Sequence, residues 1–484
     1  MLIRQTLLYM PAQIGGPSLQ FLMTILLTYW LVPAQFGELT AMIAAQELAY
    51  LIFVFWWSSA ALRYSEEIIE QDGRVKFQAM ENMILLVASL LQISLVSCLL
   101  MTIKTEVTFW DIFWYSLFVI TRSLISHLSE RARAGSKILI YTSLQLLPPI
   151  ISLLLAYLAF FRFNSSLQVL LASFAIAQTS IVLIVWYWLS LGLSFAYPDR
   201  IILFRSAKFG FPLMVGGFLG WFSLNAIRII IGYLYGSDKL GLLSVGWGLG
   251  QRFASVAAMM VTAAAFPLAV ARMKLGSKQS SLNQMSVGGM LLFALLSPST
   301  AGLAWISSSL VELTIAEPFR LMTITVLPLA MLASAIRNFR VHYPDQSLLL
   351  LEVTSLTIAV NLFEAIITIL LCYLGGIIYG PIGAVYGCVL GSGLGCLVGF
   401  IIPVVLHSLP IFWNDFLKIL FATISMIILL SLLDPLFEIN NLYLRLAQQI
   451  SFSICVYTLL MLCLYFKGTC RMLKVGRSDT IKSI

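Results

Sequence analysis

The sequence is short of charge. Only 10% of its 484 residues are Asp, Glu, Lys or Arg, while 60% are hydrophobic. Water-soluble domains carry about 25% charged and about 45–50% apolar residues. So few charges cannot cover a core of this size in water, which leaves the bilayer as solvent. Disulfide scaffolding is excluded by the seven cysteines (Cys98, Cys372, Cys388, Cys396, Cys455, Cys463 and Cys470), an odd number with no CxxC pair and with six members in apolar runs. The three histidines, His127, His342 and His407, are far apart and have no metal-ligand spacing, so no metal site is expected. There is no G-x-x-x-x-G-K-[ST] phosphate loop, so the chain is not expected to hydrolyse ATP. No loop runs much beyond about twenty residues, which leaves no room for a soluble catalytic domain. No catalytic residue and no cofactor is expected, and the chain is not read as an enzyme.

What is present is a series of apolar segments. A membrane-spanning helix needs about 20 mostly apolar residues. Fourteen segments meet that length: 6–32, 38–62, 77–103, 109–130, 138–160, 167–190, 206–235, 240–268, 287–311, 318–336, 347–374, 379–406, 414–433 and 446–466. The first follows Arg4 and runs to about Val32 without a small-residue cleavage pattern, so it is expected to stay as a span. The fold class is therefore an all-α polytopic membrane protein with about 14 transmembrane helices.

The basic residues test this map. Of 29 Lys and Arg, the N-terminus, the even-numbered loops and the C-terminal tail hold twenty-one, and the odd-numbered loops hold five. The positive-inside rule then puts both termini in the cytoplasm. The net charge of +8 is mostly this topology signal and calls for no nucleic acid, although the tail is placed to touch anionic lipid heads.

Two stretches repeat. Pro11-Ala-Gln-Ile-Gly15-Gly16 aligns with Pro212-Leu-Met-Val-Gly216-Gly217, and Tyr29 to Thr40 (YWLVPAQFGELT) aligns with Tyr233 to Ser244 (YLYGSDKLGLLS), at offsets of 201 and 204 residues. Six spans separate the copies, an even number, so both point the same way. The expected organisation is two parallel six-helix lobes, 1–195 and 196–406, followed by two additional transmembrane helices in 407–466 and a basic cytoplasmic tail, 467–484. Gly383, Gly387, Gly391, Gly395 and Gly399 form a flat stripe on the twelfth span, read as a close-packing surface, with a sliding surface as the alternative.

Five ionisable side chains lie inside spans: Glu47, Arg122, Arg228, Arg252 and Glu364. Each costs roughly 2.5–3.5 kcal/mol at a helix centre on insertion scales, so each must be paired or wetted. Helical spacing sets them on polar faces. Thr354, Thr357, Asn361, Glu364 and Thr368 share one face; so do Trp221, Asn225, Arg228 and Gly232, and so do Arg122, Ser126, Ser129 and Arg133. A guanidinium holds phosphate oxygens bidentately and keeps its charge. Arg122, Arg228 and Arg252, with Asn225 and Asn361, are therefore candidates to line a transport path and hold an anionic, diphosphate-type head group. An Arg–Glu lattice that fixes the helices is the other reading of the same residues. Glu47 and Glu364 are candidates for a coupling-ion site or for salt-bridge partners.

The Pro-containing first helix, the turn LVPAQFGELT, Trp56-Trp57 leading to Ala61-Leu62-Arg63, and the stretch Arg228 to Gly241 resemble the polysaccharide transporter family. These are the Wzx-type O-antigen and capsule repeat-unit flippases of the multidrug/oligosaccharidyl-lipid/polysaccharide superfamily. The resemblance is carried by about 1–90 and 205–260 and elsewhere by hydropathy and span number. It implies alternating access between two lobes in a bacterial cytoplasmic (inner) membrane. It implies as cargo an undecaprenyl-diphosphate-linked oligosaccharide, and as partners membrane lipids and other polysaccharide-assembly membrane proteins. Relatives often carry an acidic residue directly before the arginine of the seventh span, where this chain has Ile227. An ion-coupled drug or small-molecule exporter and a lipid II flippase are rival readings on the same architecture. An integral-membrane polymerase or ligase would need a larger external loop.

Overall fold

The computed structural model describes residues 2–68, 74–103, 107–162, 166–192, 194, 199–274, 277–433 and 441–465, so the basic tail 467–484 lies outside the described residues. Among these residues the fold is entirely helical: α1 Leu2–Trp30, α2 Pro33–Tyr50, a π-helical turn Leu51–Phe55, α3 Trp56–Ile68, α4 Arg74–Ile103, α5 Phe109–Ala134, α6 Ile138–Arg162, α7 Leu167–Trp188, α8 Arg200–Lys274, α9 Lys278–Thr314, α10 Glu317–His342, α11 Pro344–Leu350, α12 Thr354–His407, α13 Trp413–Leu433 and α14 Leu442–Leu464. Helix starts carry ordinary local signals. Pro33 opens α2, Thr108 and Asp111 form a capping box on α5, and Ser166, Ser277 and Asn441 cap α7, α9 and α14.

Ten helical stretches among the described residues are long and apolar enough to cross a membrane, fewer than the fourteen segments read from the sequence. Of the four segments that make up the difference, the one at 6–32 falls on α1, which is not among the ten, and the other three have identifiable causes. α8 has 75 residues and α12 has 54, and each is one hydrogen-bonded run turned back at a glycine of left-handed conformation, Gly236 (φ 76°) and Gly380 (φ 72°). Each run holds two of the expected segments, because only glycine takes that backbone without strain. α5 misses the hydropathy threshold because it carries Asp111, Arg122, His127, Glu130, Arg131 and Arg133.

The chain divides into two compact units, one of Met1–Val245 with Asn361–Gly391 and the other of Gly246–Val360 with Ser392–Ile484. In the first, α5, α6 and α7 close around Leu128, Leu144, Ile181 and Val185, and α3 and α4 around Trp57, Phe77 and Met80. In the second, the buried Tyr343 ties elements together: its hydroxyl reaches Ser286 Oγ (2.9 Å) and the Pro410 carbonyl (2.8 Å). Large apolar side chains stay exposed on the outside, among them Leu139, Tyr187 and Leu321. Hydrocarbon is the solvent that suits such a surface.

The repeat seen in the sequence is a contact in the structure. A Cβ on Gly37 would fall on the Ser237 carbonyl, and one on Gly241 would fall on the Pro33 carbonyl. Both pairs are related by the same offset of 204 residues, so the two copies meet symmetrically, backbone against backbone. The break at Gly236 falls at the same offset from Val32, where α1 gives way to α2. The glycine stripe packs in a similar way. Gly383, Gly387 and Gly391 lie against Gly375, Leu371 and Thr368 on the other limb of α12, which supports close packing rather than sliding.

Gly37→Leu or Gly241→Leu is expected to lower thermal stability in detergent by at least the roughly 1–3 kcal/mol of an overpacked core, because backbone has to move. Gly216→Ala, which meets nothing within 4 Å, is expected to leave the melting temperature unchanged.

Candidate functional site

Three helices of the first unit carry the polar faces that converge. α2 brings Gln46 and Glu47 with Tyr50 one turn on, the π turn begins at Leu51, α5 brings Arg122 and Ser126, and α8 brings Trp221. Together they line a cavity of about 250 Å³. The walls are fixed from behind. Gln46 Nε2 donates to Ser123 Oγ at 3.3 Å, joining α2 to α5, and Ser126 Oγ donates to the Arg122 carbonyl at 3.1 Å. Trp221 Nε1–H donates to Glu47 Oε2 at 3.1 Å, joining α8 to α2. Asn225, buried one turn along, donates to the Trp221 main-chain carbonyl at 3.2 Å, so its amide is satisfied within its own helix.

Glu47 is the acidic group that acts on both Arg122 and Arg228, and the two arginines also repel one another. Among the described residues none of the three forms an ion pair within 4 Å with another. Arg122 instead lies over the Phe118 ring, 6.0 Å from its centroid. Arg228 keeps two buried nitrogens, Nε and Nη1, with no hydrogen-bond partner. Its neighbour Ile227 is buried and brings no countercharge from the helix. A lattice role would put guanidinium and carboxylate in contact, as happens elsewhere in this unit, where Arg131 Nε lies 3.1 Å from Glu81 Oε1. Arg122 in the cavity wall and Arg228 outside it are two cations that share one carboxylate, Glu47, at a distance. Such a site attracts an anion with several oxygens.

The other candidates fall elsewhere. Asn361 and the fully buried Glu364 lie on the first limb of α12, within the first unit but away from the cavity lining. Arg252 belongs to the second unit, where a Cβ on Gly248 would lie 3.5 Å from its Nη1. Tyr50, Gln46 and Leu51 were not singled out in the sequence. Glu47 and Tyr50, three apart, share a helical face, which is the signal that finds them; the π turn beside them leaves no comparable mark in the sequence.

A buried guanidinium without partners is destabilising, and replacing buried charge by an apolar group of similar volume is often stabilising by about 1–4 kcal/mol. Arg228→Met is therefore expected to raise the melting temperature of the purified protein. Arg131→Met, which leaves the buried Glu81 with His127 but without its arginine, is expected to lower stability, by up to about 3–5 kcal/mol. Parallel thermal unfolding of the two variants checks the contrast.

The comparisons bear on the fold and the family. The structure is similar to that of the lipid II flippase MurJ in an inward closed conformation, with a TM-score of 0.72 and 14% identity, covering 96% of this chain and 100% of that one. It is similar to an inward-facing multidrug resistance MATE family transporter of the MOP superfamily, with a TM-score of 0.59 and 11% identity over 83% of this chain and 96% of that one. An outward-facing MATE family transporter of the same superfamily gives 0.54 at 13% identity, with 83% and 94% covered. At these identities the likeness establishes the fold. No curated protein matches the sequence. The family described as "Polysaccharide biosynthesis protein" matches residues 2–274, more than half of the chain and the part that holds the cavity. The chain belongs to that polysaccharide biosynthesis protein family of polytopic helical membrane proteins, on the fold of the MOP-superfamily transporters.

Proposed function

We propose that the protein is a flippase that moves an undecaprenyl-diphosphate-linked oligosaccharide repeat unit from the cytoplasmic to the periplasmic face of a bacterial inner membrane. The observation that carries this reading is a cavity lined by Arg122 and a single carboxylate, Glu47, with Arg228 outside the lining but within the electrostatic reach of both and with two buried nitrogens that have no hydrogen-bond partner. A diphosphate supplies the several anionic oxygens that such donors match bidentately. Trp221 and Tyr50 offer flat apolar faces with polar edges beside the charge, suited to a sugar ring next to the phosphates. The family membership and the MOP-superfamily fold support the same reading.

In this account two lobes, 1–195 and 196–406, alternate access to the cargo, with both termini in the cytoplasm as the basic residues argue. Arg122 and Arg228 hold the head group, Asn225 lies one turn from Trp221 on the same helix, and Glu47 keeps the empty cavity tolerable by offsetting part of its positive charge. Arg252 and Asn361 are assigned to the path on the other side of the cycle, and Glu364 to a coupling or salt-bridge role. The MATE likeness keeps an exporter in view. A cationic drug would meet two arginines here, which disfavours it.

Deleting the gene is expected to trap the lipid-linked oligosaccharide on the cytoplasmic face, as read by an impermeant sugar-modifying reagent on intact and lysed spheroplasts. Wild type restores delivery. Arg228→Ala is expected to cut delivery by about tenfold or more, the loss of one charge-assisted contact of about 1.5–3 kcal/mol. Normal delivery without the gene, in a strain lacking a second transporter, would leave the exporter reading in front.

A further inference from the structure

Behind the cavity wall, the first unit contains a row of hydroxylic and ionisable side chains that cargo binding does not use. Tyr50, a lining residue, stands at the start of the π turn, and Ser58 follows just after its end. Ser58 Oγ lies 2.9 Å from His127 Nδ1, His127 Nε2 lies 2.9 Å from Glu81 Oε1, and Arg131 Nε lies 3.1 Å from that same oxygen. Ser58, Glu81 and His127 are each at most 1% exposed.

The π turn aligns Tyr50 with this row. With about 3.6 residues per turn, positions eight apart on an α-helix are rotated by about 80° from one another. The turn Leu51–Phe55 absorbs one extra residue, which brings Ser58 back beneath Tyr50, two turns along the same face. One end of the row therefore opens on the cavity and the other ends on a buried ion pair.

Ser58 lets the histidine take either charge state. Its hydroxyl has two acceptors, the Val54 carbonyl at 3.2 Å and His127 Nδ1 at 2.9 Å. With neutral imidazole, Nε2–H donates to Glu81 and the Ser58 hydroxyl donates to Nδ1. When a proton arrives on Nδ1, that N–H donates to Ser58 Oγ, and the hydroxyl turns to Val54. Neither state strands a buried donor or acceptor, which is the usual obstacle to titrating a group in a core. Glu81 is in contact with Arg131 as well as with His127, so the carboxylate keeps a cationic partner whichever state the imidazole takes. The elements packed on α5 bring few ionisable groups: α2 carries Glu38 and Glu47, and α3 carries Arg63, Tyr64, Glu66 and Glu67 toward its end. α3 brings Ser58 and Trp57, α4 brings Glu81, and α5 itself brings Arg131; Glu130 acts on Tyr50 and is held by Arg133 at 3.0 Å. α7 has no Asp, Glu, Lys, Arg or His, and α6 has only Arg162 at its far end.

We propose that His127, seated between Ser58 and Glu81, is a proton-binding site whose occupancy is coupled to that of the cavity through Tyr50, so that translocation responds to a proton gradient. The proposal rests on the cavity being the cargo site. It differs from a Glu47 or Glu364 coupling site in placing the proton behind the wall.

The test uses the full chain in proteoliposomes and a fluorescent synthetic undecaprenyl-diphosphate disaccharide as the probe. The readout is the ratio of translocation rates with and without an imposed pH gradient at clamped potential. Wild type is expected to give a ratio of about fivefold or more, within the range of ordinary coupling energies. His127→Gln and Ser58→Ala are each expected to bring it to about one. A wild-type ratio of one, or a ratio kept by both variants, overturns the proposal. A wild type that moves no probe would instead sink the cargo reading. In that case histidine-labelled protein in nanodiscs decides the proton site by itself, since only three histidines need assignment. A His127 signal that changes protonation between roughly pH 5 and 8 supports it, and one fixed across that range overturns it.

Discussion

An arginine inside a membrane protein must be answered by something, and the first unit answers its arginines in two ways. Arg131 meets Glu81 at 3.1 Å in a fully enclosed pair, with His127 and Ser58 completing the carboxylate's surroundings. Arg122 and Arg228 share Glu47 at a distance, and Arg228 retains nitrogens without partners. The first arrangement puts guanidinium and carboxylate in contact, although Arg131 Nε and Nη1 also lack a hydrogen-bond partner. On the proposed function, the second is completed by the anionic head group of the cargo at the cavity that Arg122 and Glu47 line. A head group that satisfies those donors in one state and loses them in another has the differential affinity that a conformational cycle needs.

Glycine sets where the helices can come this close. Gly37 and Gly241, equivalent members of the two repeats, let α2 and the second limb of α8 touch through backbone alone. Gly236 and Gly380 turn α8 and α12 back on themselves without leaving helical hydrogen bonding for long. In hydrocarbon an irregular loop would strand polar backbone groups, so a one-residue reversal is the economical solution. The tight crossing of α2 and α8 holds the helices that carry Glu47 and Trp221, whose hydrogen bond closes one side of the cavity.

Much of this was legible in the sequence. Charge scarcity and apolar segment length gave the polytopic helical class, and the Tyr-Gly-Leu-Thr/Ser match pointed to the helices that meet at Gly37 and Gly241. The cost of intramembrane charge singled out Glu47, Arg122 and Arg228, and helical spacing set Trp221 beside them. Fourteen segments and ten spanning stretches differ in part because hydropathy cannot see that a helix continues through a glycine reversal, and because α5 trades hydropathy for its charges. The π turn was invisible, since one extra residue scarcely disturbs an apolar pattern. Without it Tyr50 and Ser58 fall on different faces, so the route to His127 could not be drawn. Arg131 counted in the sequence only as a basic residue near a membrane end, yet it is buried against Glu81 and the Phe77 ring.

The central claim is that the cavity of the first unit holds the head group of a lipid-linked oligosaccharide. It is tested most directly by a photo-crosslinking amino acid in place of Leu51, which lines that cavity, in cells labelled with radioactive sugar. The account predicts a labelled lipid-linked adduct at that position, removed by lipid-diphosphate cleavage and much weaker from Tyr187, which faces outward. Equal labelling at both positions, or none at position 51 in folded protein, would contradict it.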